Sequence, residues 1–130
     1  MKKLHCFILI GVLCSILACA SAAAQKAGEV VAGIPVKDTV TLVDLGAKTC
    51  IPCKLMAPIL EELGEAYQGR AEIIFIDVWD PTNEGKAKAF KVRTIPTQIF
   101  YDKQGKEVYR HLGFLDKTAI IVKLEELLAE

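Results

Sequence analysis

Two near-continuous apolar runs constrain this chain more than anything else in it: Val40-Thr41-Leu42-Val43-Asp44-Leu45 and Glu72-Ile73-Ile74-Phe75-Ile76-Asp77-Val78. Both are rich in β-branched residues and lack the polar alternation of a strand with one wet face. They read as strands covered on both sides. Between them, Lys54 to Leu63 has helical periodicity, with Leu55, Ile59, Leu60 and Leu63 on one face. Pro52 suits a first helical turn, where its missing N–H costs nothing. Pro58 removes an interior hydrogen bond, so the reading is one kinked helix to about Tyr67, ended by Gln68-Gly69. Asp80-Pro81-Thr82-Asn83 turns the chain and Glu84 to Lys91 is a short helix. Thr97 to Tyr101 is a third strand, joined through Asp102 to Lys106 as a hairpin to Glu107–His111. Asp116 can cap a last helix that turns Ile120, Ile121, Leu124, Leu127 and Leu128 inward. The order β-α-β-α-β-β-α implies an α/β fold, a central mixed β-sheet with helices on both faces.

The first residues have a different character. Lys2 and Lys3 precede an apolar run from Cys6 to Cys19, and Ala20-Ser21-Ala22-Ala23-Ala24 follow. This is the layout of a secretory signal, and cleavage after Ala24 leaves Gln25 first. The run is short for a membrane span of about 20 residues. The expected organisation is a signal peptide over 1–24, an extension or linker over 25–37 and one folded domain over 38–130, periplasmic or secreted. Ile16-Leu17-Ala18-Cys19 loosely resembles a lipoprotein signal, which would tether the domain to a membrane through Cys19. The 16 Lys and Arg balance 16 Asp and Glu, and without Lys2 and Lys3 the charge is about −2. No global field draws such a chain to nucleic acid or acidic lipid.

Removing Cys6, Cys14 and Cys19 with the signal leaves Cys50 and Cys53 from the five cysteines. A disulfide between them closes a very small loop, so it takes little entropy from the unfolded chain and is poorly placed for stabilisation. It is well placed for chemistry. The pair sits between a strand and a helix, where free N–H groups and the helix dipole favour a nearby thiolate. Cys50 lies on the exposed side and Cys53 one turn further in. Cys50 would attack a substrate disulfide and Cys53 would resolve the mixed disulfide. A zinc half-site is the structural alternative, but zinc takes four ligands and only His111 remains besides carboxylates. Haem attachment needs His after the second Cys, where Lys54 stands.

The stretch from Val43 through Cys50-Ile51-Pro52-Cys53 to Pro58 resembles the active-site segment of thioredoxins. The resemblance continues through Val92-Arg93-Thr94-Ile95-Pro96-Thr97, the Gly105 hairpin and Gly113. It covers residues 38 to 130 and implies a thioredoxin fold with a shortened N-terminal part. By position it makes Asp44 the buried acid beneath the second Cys, with a pKa raised by desolvation so that it can take a proton. It makes Pro58 the helix-kinking proline and Pro96 a cis-proline beside the active site. The Ile95 backbone would pair with an extended substrate segment, and Gly113 would keep that surface clear.

There are departures. Thr49 stands where the family usually has Trp, Ile51-Pro52 replaces Gly-Pro, and Phe75 replaces the Lys that often pairs with the buried acid. The resemblance implies a thiol–disulfide oxidoreductase acting on disulfide-containing exported proteins, with a membrane thiol reductase as electron donor. It calls for no cofactor, metal or nucleic acid, and for a monomer. Ile95 before Pro96 resembles reductive thioredoxins more than the strongly oxidising relatives, which implies net reduction. The alternatives are a disulfide-forming oxidant, a non-catalytic module of the same fold, and a copper- or zinc-handling protein using the CxxC pair. Trp79 and Met56 are expected to pack, His111 to be exposed, and the Glu61-Glu62 and Glu125-Glu126 pairs to lie on solvated helix faces.

Overall fold

The computed structural model of the protein describes residues 31–130. The expected signal, its three cysteines and Gln25 lie outside the described residues. The elements run β1 (Val40–Gly46), α1 (Ile51–Ala66), β2 (Ala71–Asp77), a 3-10 turn (Pro81–Asn83), α2 (Lys86–Ala89), β3 (Thr97–Tyr101), β4 (Glu107–Leu112) and α3 (Lys117–Ala129). The sheet order is β2-β1-β3-β4. β1 pairs parallel with β2 and antiparallel with β3, and β3 pairs antiparallel with β4. Every residue of β1 and β3 is buried, which is why their sequences carry no polar alternation.

Alternation along β1 splits the core between the two faces of the sheet. Val40, Leu42 and Phe100 pack with Met56, Leu60 and Leu63 of α1 and Ile120, Leu124 and Leu127 of α3. Val43, Leu45, Ile76, Ile99 and Tyr101 pack with Phe90 on the other face, joined by Val31 and Ile34. Residues 31–39 form turns without a strand or helix, yet they cover this second cluster.

Several expectations need correction. The inward stripe of α1 is Cys53, Met56, Leu60 and Leu63, while Leu55 is 59% exposed. Met56 is fully buried, as expected, and its sulfur accepts the Leu115 N–H at 3.4 Å. Trp79 does not join the core: the residue is 63% exposed. His111 is half-buried rather than free in solvent, and its Nε2–H donates to the Phe114 carbonyl at 3.1 Å. The glutamate pairs do lie on exposed faces, where Glu62 pairs with Lys117. Glu125 accepts from Tyr67 Oη at 2.8 Å and Arg70 Nη2 at 3.0 Å, joining the end of α1 to α3. α1 continues through Pro58, which faces solvent.

Candidate active site

The C-terminal end of β1, the start of β3 and the end of β4 lie at one edge of the sheet, because Leu45 is paired with Thr97 and Thr97 with Leu112. The loops leaving that edge carry the sequence-predicted residues. β1 leads through Ala47-Lys48-Thr49 into Cys50, the extended residue that caps α1. Asp77 at the end of β2 holds this loop: its Oδ2 accepts the Lys48 N–H at 3.3 Å and its Oδ1 the Trp79 N–H at 3.0 Å. That role is invisible to local pattern, since it depends on β1 and β2 ending side by side.

Cys50 and Cys53 are joined as a disulfide with their Cα atoms 5.3 Å apart, the oxidised state of the pair. Cys53 is 3% exposed and Cys50 half-buried. The separation into outer and inner sulfur therefore follows from one turn of α1, with Pro52 in its first turn. Gly46 lets the inner sulfur close on the strand. A methyl group there would stand 3.2 Å from Cys53 Sγ and 3.1 Å from Phe75 Cε2. Phe75 also walls a cleft of about 480 Å³ that reaches Cys53, lined further by Lys54 and Glu61.

Asp44 lies on the same face of β1 as Gly46 and has no exposed surface. Burial raises its carboxyl from the ordinary 3.8 to about 6, against a smaller lowering by a hydrogen bond from Gln98. Gln98 is the residue that sequence reasoning missed. It is directly across from Asp44 on β3, fully buried, and its Nε2–H donates to Asp44 Oδ1 at 2.6 Å. A Gln directly before the apolar Ile99 and Phe100 of a buried strand was the available signal. Phe75 is the cross-strand neighbour of Asp44 on its other side and brings no charge.

The Ile95–Pro96 peptide bond is cis, as is Ile34–Pro35. The Pro96 carbonyl accepts the Gly113 N–H at 2.8 Å, which brings the loops before β3 and after β4 together. Gly113 has φ +97, a conformation that disfavours any side chain, so glycine is required there by the backbone. Among the described residues no three His, Cys, Asp or Glu side chains converge on a point.

The thioredoxin family model matches residues 23–126. The chain belongs to the thioredoxin family. Thioredoxins of Staphylococcus aureus strains Mu50 / ATCC 700699 and MW2 are each 40% identical to it over 91 residues, which cover 70% of this chain and 85% of theirs. Among solved structures, chloroplastic thioredoxin z is similar with a TM-score of 0.66 and 29% identity, over 75% of this chain and 86% of that one. The exposed lipoprotein thioredoxin of Streptococcus pneumoniae strain TIGR4 is similar with a TM-score of 0.61 and 26% identity, over 70% of this chain and 87% of its own. With its CxxC disulfide, this thioredoxin-family chain is a thiol–disulfide oxidoreductase.

Proposed function

We propose that this thioredoxin-family protein reduces or exchanges disulfides in exported proteins, through Cys50 as attacking thiol, Cys53 as resolving thiol and Asp44 as proton acceptor. The observation that carries the reading is the outer-and-inner placement of the two sulfurs, with a buried carboxyl on the same face of the sheet. In the reduced protein the Cys50 thiolate attacks one sulfur of the substrate disulfide. The first substrate thiolate leaves and takes a proton from solvent. Cys53 then gives its proton to the Asp44 carboxylate and attacks Cys50 Sγ. The second substrate thiolate leaves, and the Cys50–Cys53 disulfide remains. Two electrons pass to the substrate, and an external dithiol, supplied by a membrane thiol reductase, returns them. The Ile95–Pro96 segment and Gly113 form the docking edge, where an extended substrate segment pairs with the Ile95 backbone.

The reduction potential of the Cys50–Cys53 couple, measured against a glutathione or dithiol buffer, tests the direction. A value near −270 mV is expected for a reductant; one near about −120 mV would make the protein an oxidant.

Export is part of the same proposal. It is supported by the Lys2-Lys3, apolar and alanine-rich order of residues 1–24, and by likeness to a thioredoxin described as an exposed lipoprotein. Mass spectrometry of the native protein is expected to find a chain beginning near Gln25. A diacylglyceryl group on Cys19 would replace the soluble form with a tethered one, and an intact Met1 would reject export by either route.

A further inference from the structure

Gln98 is an expensive residue for its position. It is fully buried, and while its Nε2–H donates to Asp44, Gln98 Oε1 and Asp44 Oδ2 have no partner among the described residues. Each buried polar atom left unpaired has given up its water without a protein partner in return. The next residues of β3, Ile99 and Phe100, are apolar and fully buried. An apolar side chain at 98 would remove the unpaired Oε1 but leave both Asp44 oxygens without a partner among the described residues.

The chemistry of a primary amide accounts for its presence. It offers donors on nitrogen and an acceptor on oxygen, and it carries no charge in either orientation. Turned one way it donates to a carboxylate. Turned the other way it accepts from the O–H of a carboxylic acid. A lysine serves only the first state, and an apolar side chain serves neither. We propose that Gln98 is the positioning residue of Asp44, holding its carboxyl in both protonation states by turning its amide as the proton arrives and leaves. The proposal rests on Asp44 being the proton acceptor of the resolving step. When Cys53 S–H gives up its proton, the electron pair stays on sulfur and Asp44 becomes neutral. The amide then presents Oε1 to the new O–H. When Asp44 returns its proton to solvent, the amide turns back.

The surroundings leave this task to Gln98 alone. On this face β2 presents Phe75, α1 presents Cys53 and Met56, and α3 presents Ile120 and Leu124. On the far side of Gln98 stands His111 of β4, whose ring is engaged with the Phe114 carbonyl. Tyr109 lies on the same face of β4 as His111, opposite Phe100, and Lys54 and Glu61 line the cleft beyond Cys53 and Phe75, while the disulfide removes Cys53 from titration in the oxidised protein.

The test follows the Asp44 carboxyl by carbon NMR through a pH titration of the oxidised full-length protein. It is combined with the pH profile of mixed-disulfide resolution in a single turnover. Gln98→Met is expected to move the Asp44 midpoint up by about one pH unit or more, because the charge-assisted hydrogen bond lost from the carboxylate is stronger than the neutral one lost from the acid. Resolution below the new midpoint then slows by about tenfold. Gln98→Glu keeps the native shape and places a second carboxyl beside Asp44, so it is expected to move the midpoint up as well. His111→Asn is expected to leave it in place, and Gln98→Met added to Asp44→Asn is expected to leave the rate unchanged. The proposal is overturned if both Gln98 variants keep the wild-type midpoint. It is also overturned if His111→Asn moves the midpoint as far as they do, or if Gln98→Met slows the Asp44→Asn protein as much as it slows wild type. A midpoint that moves while resolution keeps its wild-type profile supports the hold of Gln98 on Asp44 and instead removes Asp44 from the proton step.

Discussion

Cys50→Ser is expected to abolish disulfide reduction, and Cys53→Ser to accumulate a covalent complex with the substrate. The outer sulfur starts the exchange, so its loss leaves no nucleophile, and the rate falls by at least about a thousandfold. The inner sulfur acts only afterwards. With Ser at 53 the first exchange proceeds and the mixed disulfide on Cys50 has nothing to resolve it. On a non-reducing gel the complex appears at the combined mass and disappears with a dithiol reductant. Cys53 is 3% exposed, so its serine hydroxyl is buried. That substitution also costs stability, about 1–3 kcal/mol if the hydroxyl finds no partner. Equilibrium denaturation separates that loss from the trapping. Normal turnover by Cys53→Ser, with no complex on the gel, would reverse the assignment of the two cysteines.

The second large effect concerns the pH dependence of stability. Asp44 has an ordinary value of 3.8 in the unfolded chain and about 6 in the folded one, with desolvation as the leading cause. A raised native pKa means the folded state holds the proton more tightly. The stabilisation is complete below the unfolded value and is lost as pH rises through the folded one. Between pH 3.8 and about 6 the loss from this one group amounts to roughly 3 kcal/mol. Asp44→Asn has the same shape and no charge, so it is expected to match wild type near pH 4 and to exceed it above pH 6 by up to that amount. Denaturant titrations of the two oxidised proteins across this range measure it directly. The same substitution is expected to slow resolution of the mixed disulfide by about 10²-fold or more, because the proton acceptor is gone. Coincident stability profiles and equal rates would make Asp44 a bystander.

Much of this molecule could be read before its structure. The run Val40–Leu45 had to be covered on both faces, because nothing polar alternates along it, whereas the similar run Ile73–Ile76 became the edge strand β2, where Phe75 is 41% exposed and Ile73 and Ile74 are half-buried. The turn residues 102–106 set a hairpin, and Asp116 marked a helix start, where its Oδ1 accepts the Ala119 N–H at 3.0 Å. The CxxC pair was visible as chemistry because its loop is too small to serve stability. The misreadings share one origin. On α1, Leu55 and Met56 were both plausible core residues by spacing. Met56 is inward because the helix is rotated to bring Cys53 against Gly46 and Phe75. On β4, His111 is half-buried because the loop through Gly113 folds back over it and the Phe114 carbonyl meets its ring.

Local pattern alone, then, determined which segments are strands and helices, their order, and the two sulfurs at a helix start, since strand propensity, turn chemistry and helix periodicity act over a few residues. Tertiary structure alone decided what surrounds those sulfurs. The pairing of Asp44 with Gln98, 54 residues away, exists only once β1 and β3 lie antiparallel in their particular register. A shift of one residue would send Gln98 to the opposite face and leave the buried carboxyl without its amide.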